Sequence, residues 1–156
     1  MARAPSLGPR TATPDMVAAA NPPEGYVPIQ SNSAFGWENG PIFHKSDPER
    51  YLRGFRVAER HINAGGVCHG GMVMTFADVL LASAALKLVD PPMVTVRMTT
   101  DFIGPAYLGD WVEGEASAEL MDDNLIAVRG DVRVGDRAVA AISGLFKKLN
   151  RRPDGK

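Results

Sequence analysis

The stretch His61-Ile62-Asn63-Ala64-Gly65-Gly66-Val67-Cys68-His69-Gly70-Gly71 runs straight into an apolar segment, Met72 to Leu88, that holds one carboxylate, Asp78. A glycine-rich loop opening a helix leaves backbone N–H groups unbonded at the positive end of the helix dipole, where an anion or a developing oxyanion is stabilised. A carboxylate two turns further on, among Phe76, Ala77, Val79, Leu80 and Leu81, is costly to bury without a partner or a purpose. Oxyanion donors together with an acid able to act as base or nucleophile are the parts of an acyl-transfer or hydrolysis site. Gly70 is the donor candidate, because glycine lets a carbonyl approach the backbone at the helix start. Asp78 is the base or nucleophile candidate. Each has a structural alternative: a tight loop-to-helix join for Gly70 and Gly71, and a carboxylate bonded to a hydroxyl such as Thr75 for Asp78.

Helical geometry constrains how these groups can cooperate. Eight residues of helix separate Gly70 from Asp78 by about 12 Å, too far for both to reach one carbonyl carbon. If both act, Asp78 must face the helix start of a second copy of the chain. Cys68 beside His69 suggests a thiol nucleophile, but neighbouring residues in an extended loop point apart, so a dyad is not expected. Nothing brings His61, His69 and Asp78 into metal-ligand spacing, and neither metal nor cofactor is expected.

At 156 residues the chain has the length of one domain, and 45% apolar with 22% charged residues is ordinary for a globular protein. A net charge of −1 gives no reason to expect nucleic acid or an anionic membrane as partner. Lys147, Lys148, Arg151 and Arg152 form the one basic cluster and are read as a solvated tail. A single cysteine rules out an internal disulfide, and Met16 to Ala20 is too short for a signal core or a membrane span, so a cytoplasmic protein is expected.

Half of the 12 prolines fall in the first 28 residues, so residues 1–25 are expected to be a flexible leader or surface strap and residues 26–150 the folded domain. Trp37-Glu38-Asn39-Gly40-Pro41 reads as a turn and Tyr51 to Ala58 as a strand. Gly70 to Leu88 reads as a helix, apolar nearly all round and therefore central, ended by Asp90-Pro91-Pro92. Strand-like alternation follows around 94–102, 112–120 and 126–134, with Gly135-Asp136 as a two-residue hairpin turn. The last strand, Ala138 to Leu149, is apolar on both faces, which suggests that one face meets another subunit. The resulting architecture is α+β, an antiparallel sheet wrapped around one long central helix.

This order of elements resembles the hotdog fold. His61-x-Asn63-x-x-Gly66-x-x-His69-Gly70-Gly71 with Asp78, and Phe102-x-x-Pro105-Ala106-x-x-Gly109-Asp110, resemble the acyl-CoA thioesterases of the phenylacetate-pathway (PaaI) type over roughly residues 35–148. The resemblance implies an acyl-CoA substrate, here of medium chain length or aromatic, and a site shared between subunits in a dimer at least, a tetramer by expectation. It implies that the Gly70 N–H polarises the thioester carbonyl, that Asn63 bonds the water or the thioester, and that Thr95 orients the water. Asn63 alternatively closes a turn on its own backbone, and Thr95 alternatively packs in its strand. His69 either contacts substrate or steadies the loop. Gly71, Phe35 and Trp37 are the substrate-binding candidates, with Pro41, Met72, Met74 and Phe76 as further apolar surface. For the nucleotide end of CoA, Arg97, Arg129, Arg133 and Lys147 stand as equal candidates.

Two rivals share the fold. A non-catalytic acyl-CoA-binding module would not need Asp78. A dehydratase acting on acyl thioesters would need a His with an acid to remove an α-proton, where the helix offers only Asp78.

Overall fold

In the computed structural model, residues 8–48 and 50–149 are described; Pro5 of the leader and Arg151 and Arg152 of the basic cluster lie outside them. Residues 70–85 contain no proline and are rich in Ala, Leu and Met, and they form the longest helix, α3 (Gly70–Ala85). Its buried side chains are Met72, Val73, Phe76, Ala77, Leu80, Leu81, Ala84 and Ala85, a stripe that repeats every four residues. The helix is therefore two-sided. Its other face carries Met74, Thr75, Asp78 and Val79, exposed or half-buried in the single chain, where a helix buried all round was expected. It also stops at Ala85, and Leu86 to Leu88 continue as a turn.

The strands are β1 (Tyr26–Pro28), β2 (Phe43–Lys45), β3 (Tyr51–Arg56), β4 (Met93–Phe102), β5 (Trp111–Leu120), β6 (Leu125–Val134) and β7 (Arg137–Lys148). They form one antiparallel sheet in the order β1-β2-β3-β5-β6-β7-β4. Alternation predicts β4 to β6, β7 follows from its apolar run, and the β6–β7 hairpin turns at Gly135-Asp136 as expected, with Val134 opposite Arg137. The sheet wraps α3 around a core in which Phe55, Phe76, Leu80, Leu81, Val112, Ile126 and Phe146 are almost fully buried.

β7 turns one face into the core and the other to the outside of the sheet, where Ser143 is exposed and Leu145 half-buried. β7 lies inside the sheet, between β6 and β4, with Val139, Ile142 and Phe146 in the core. The uncovered edge belongs to β4, a ten-residue strand on which Val94, Val96 and Phe102 are 44%, 54% and 56% exposed. Its pairing with β7 slips by one residue between Thr95 and Arg97. A long apolar edge with unpaired backbone groups is a template for another strand, and a bulge is one device that limits indiscriminate pairing.

Two short helices stand where a turn and a leader were read. Helix α1 (Pro14–Ala20) starts from Thr13, whose hydroxyl accepts from the Met16 N–H, with Pro14 in the first turn. Helix α2 (Ala34–Asn39) starts from Ser33 in the same way, and Gly40 ends it, so only the end of the expected 37–41 turn is non-helical. Behind α1, Ala20 is buried with Tyr26 and Phe43, and the Arg56 side chain donates to the carbonyls of Ala20 and Asn21.

Candidate active site

The loop before α3 is closed by its own backbone. The His69 N–H donates to the His61 carbonyl (2.7 Å) and the Asn63 N–H to the Val67 carbonyl (2.8 Å). The Asn63 side-chain oxygen accepts from the N–H groups of Gly65 (2.8 Å) and Val67 (3.3 Å). Gly66 has a φ of +80°, the left-handed region that a side chain disfavours. Asn63 thus has its oxygen committed to the turn, and what it can offer a substrate is its amide N–H₂.

At the helix start the His69 ring accepts at Nδ1 from the Gly71 N–H (2.8 Å). His69 is the N-cap of α3, and Gly71, a substrate-binding candidate, has its N–H bonded there. Gly70 differs. Its N–H is left over by this cap, and the position a side chain would take lies 3.2 Å from the Phe102 ring. A side chain at Gly70 would press on the exposed Phe102 ring, so glycine keeps the approach to the expected oxyanion donor open.

Asp78 sits at the other end of the constellation. The Thr95 hydroxyl, on β4, donates to its Oδ1 at 2.9 Å. Asp78 also lines a cavity of about 340 Å³ together with Phe35, Trp37, Met74, Thr75 and Val79, and with Ile29, Ser31, Ser33 and Ile42 further along its wall. Thr75 itself donates to the Gly71 carbonyl, so the hydroxyl partner of Asp78 is Thr95. One chain thus gathers Asp78, Thr95, Phe35 and Trp37 at one place, and Asn63, His69, Gly70 and Gly71 at another. None of the second group lines the cavity. Ile29, Ser31 and Ser33 were missed by sequence reasoning, which has no local signal for a loop folding over a distant helix.

Cys68 is buried, and burial pushes its thiol up to about 11, so at neutral pH it is a thiol and a poor nucleophile. Cys68→Ser is expected to leave turnover within a few-fold of wild type. Complete loss in a variant with an unchanged circular dichroism spectrum would reinstate a thiol mechanism.

His61 is buried against Phe55, and its Nδ1 accepts from the Ala58 N–H. Burial, then the neighbouring Arg60, holds its pKa below the ordinary histidine value of 6.5. The folded chain resists the proton that the unfolded chain accepts, so this contribution to stability is complete above about pH 6.5 and is lost as pH falls below it. Urea midpoints measured at pH 7.5 and 5.5 should drop more for wild type than for His61→Gln. Equal drops would remove His61 as a source.

Among the basic candidates, Arg133 is committed to Glu113 at 2.6 Å. Burial alone would raise the Glu113 carboxyl, but bonds from Tyr26 and Arg133 outweigh it and hold it below the ordinary value. Arg97 and Arg129 lie with Ser117 and Ser143 on the outer sheet face, and Lys147 lies beside the Asp122–Asn124 turn. Among the described residues no group of three His, Cys, Asp or Glu side chains could hold a metal ion, and no helix is long and apolar enough to cross a membrane.

The chain is similar to several known proteins. The family model described as the thioesterase superfamily matches residues 65–141. PA0474 of Pseudomonas aeruginosa, provisionally named an esterase, is 37% identical over 129 residues, 81% of this chain and 96% of that protein. The PaaI protein of the E. coli phenylacetic acid degradation operon superimposes with a TM-score of 0.68 at 22% identity, covering 76% of this chain and 86% of that one. BH2602 of Bacillus halodurans, solved with CoA, superimposes with a TM-score of 0.63 at 20% identity, covering 70% and 74%. Matched by a family model and by a relative of nearly its own domain length, and folded as a sheet around one long helix, the chain belongs to the thioesterase superfamily and has the hotdog fold.

Proposed function

We propose that this protein hydrolyses the thioester of a medium-chain or aromatic acyl-CoA to the free acid and CoA, at a site assembled from two copies of the chain. The observation that carries the reading is the position of Asp78, held by the Thr95 hydroxyl and opening into an apolar cavity. A volume of about 340 Å³ is near the lower end for ligand pockets, which suits an acyl group of modest size. That a protein of the same fold was solved with CoA supports the second half of the substrate.

Asp78 takes a proton from water, and the water oxygen attacks the thioester carbonyl carbon. The carbonyl electron pair moves onto oxygen, where the Gly70 N–H of a second copy, at the start of its helix, stabilises the charge. Collapse of this intermediate breaks the carbon–sulfur bond, and the departing CoA thiolate receives the proton from Asp78. The Asn63 amide of the second copy donates to the thioester or to the water.

The exposed β4 edge supports the two-copy site. It carries Thr95, so a second chain that paired along it would bring its own loop and helix start beside Asp78. A dimer is the minimum that this chemistry needs, and a tetramer is compatible with it. Residues 1–25 are proposed to be a strap on the 26–150 domain and the protein to be cytoplasmic.

The test is release of free thiol from a panel of acyl-CoAs, straight-chain and aromatic. Turnover highest on medium-chain or aromatic substrates supports the proposal. Binding without thiol release would favour the non-catalytic module. A change in enoyl absorbance without thiol release would favour the dehydratase.

A further inference from the structure

Most of the cavity wall facing α3 comes from residues 29–42, a loop and the six-residue helix α2. So short a helix has little stability of its own, and its place depends on what fastens it. At its C-terminal end Arg60 donates to the Gly40 carbonyl, and at its N-terminal end the fastening comes from the N-terminal segment. Arg10 and Ser31 exchange two backbone hydrogen bonds, N–H to carbonyl in each direction at 2.9 Å. The same Ser31 carbonyl accepts from the Trp37 indole N–H at 3.0 Å, and the Arg10 guanidinium lies 5.3 Å from the centre of the Trp37 ring. From Ser31 the connection continues. Its hydroxyl accepts from the Ser33 N–H, and the Ser33 hydroxyl caps α2 at Gly36.

We propose that Arg10 is a positioning residue for acyl specificity, holding Trp37 and the 31–37 wall in place so that the N-terminal segment sets which acyl groups the cavity accepts. Arg10 is not among the cavity-lining residues, whereas Ser31, Ser33, Phe35 and Trp37 are, so Arg10 acts through them. The clamp has a fixed base. Further along the same segment Ala20 is buried, and Arg56 of β3 donates to the carbonyls of Ala20 and Asn21. Arg10 itself is exposed and pairs with no carboxylate in a salt bridge among the described residues, so its side chain contributes chiefly through the indole it covers. With the clamp in place the indole presents a fixed wall. Without it, Trp37 keeps its bond to Ser31 but loses the cation on its ring, and the wall yields to bulkier acyl groups.

The proposal rests on the thioesterase reading of the cavity, and two measurements keep the two apart. The first is kcat and KM for wild type, Arg10→Ala, Arg10→Lys and Trp37→Ala across straight-chain and aromatic acyl-CoAs. Arg10→Ala should reduce discrimination between the preferred and the next bulkier acyl group by about tenfold, the scale of a small apolar contact in a pocket. The change should fall on KM more than on kcat, with the melting temperature nearly unchanged. Arg10→Lys, which keeps the cation, should restore much of the profile, and Trp37→Ala should shift it at least as far. The second measurement needs no catalysis: decanoate titrated against tryptophan fluorescence, with Trp37→Phe identifying the signal of Trp37. Decanoate should quench Trp37 in wild type with an affinity that Arg10→Ala changes. If no acyl-CoA is hydrolysed while this change persists, the thioesterase reading fails and the clamp stands. If Arg10→Ala leaves both the acyl profile and the decanoate affinity at wild-type values, the clamp is overturned. It is overturned equally if the variant lowers kcat by one factor for every substrate along with the melting temperature, the mark of a merely structural contact.

Discussion

An Asp78→Asn variant is expected to keep its fold and lose at least about 10²-fold in kcat, the lower range for removing a general base. The fold should survive because the bond at Asp78 is compatible with an amide. The Thr95 hydroxyl donates to Oδ1, and asparagine keeps an acceptor oxygen there. What the amide cannot do is take a proton from water. KM should move little, because the cavity lined by Phe35, Trp37, Met74 and Val79 is untouched. Steady-state thiol release together with a melting curve makes the test. Turnover at the wild-type level by a folded Asp78→Asn protein would take the carboxylate out of the chemistry.

Mixing two inactive variants should restore activity. Asp78→Ala removes the base, and Asn63→Asp removes the amide donor while keeping an oxygen to accept from Gly65 and Val67, so the loop turn survives. Each homodimer carries one lesion in every site. If a site combines Asn63 and Gly70 of one copy with Asp78 of the other, a mixed dimer has one site with both lesions and one with neither. Refolding the two variants together at equal amounts should then recover about a quarter of wild-type activity, since half the dimers are mixed and each regains one of its two sites. A site contained in one chain would give no recovery. A tag on one variant, used to confirm mixed dimers, makes a null result decisive against the two-copy mechanism.

The parts of this molecule that sequence makes legible are those whose cause is local. α3 follows from sixteen residues without proline, begun by a glycine pair, and β4 to β6 follow from alternation, with a Gly-Asp turn leading into β7. α1 and α2 had local signals as well, Thr13-Pro14 and Ser33, but six or seven residues give too little periodicity to outweigh the surrounding Pro and Gly. Strand order has no local signal. β7 is last in the sequence yet lies between β6 and β4, and the open edge falls to β4. For the candidate site, spacing along the helix alone separates Gly70 from Asp78. That Phe35 and Trp37 share a cavity with Asp78 fits their being the aromatic-rich part of a chain with few aromatics. The Arg10 contact with Trp37 joins residues 27 positions apart through a loop with no repeating pattern, and nothing short of the fold displays it.

The stretch that matches the thioesterase superfamily model begins at residue 65, whereas the cavity wall opposite α3 is built from residues 29–42. Asp78, Thr95 and Gly70 lie inside the matched stretch, and Phe35, Trp37 and Ser31 lie outside it. If Asp78, Thr95 and Gly70 carry the reaction as proposed, that chemistry lies on α3 and β4, whereas the wall opposite α3 is built from residues 29–42 and can drift on its own. Descendants of one ancestor could keep the same hydrolytic step while exchanging the wall above it for another acyl group. Grafting residues 8–42 from a relative onto this chain should carry the relative's acyl preference along and leave the loop-helix chemistry where it is.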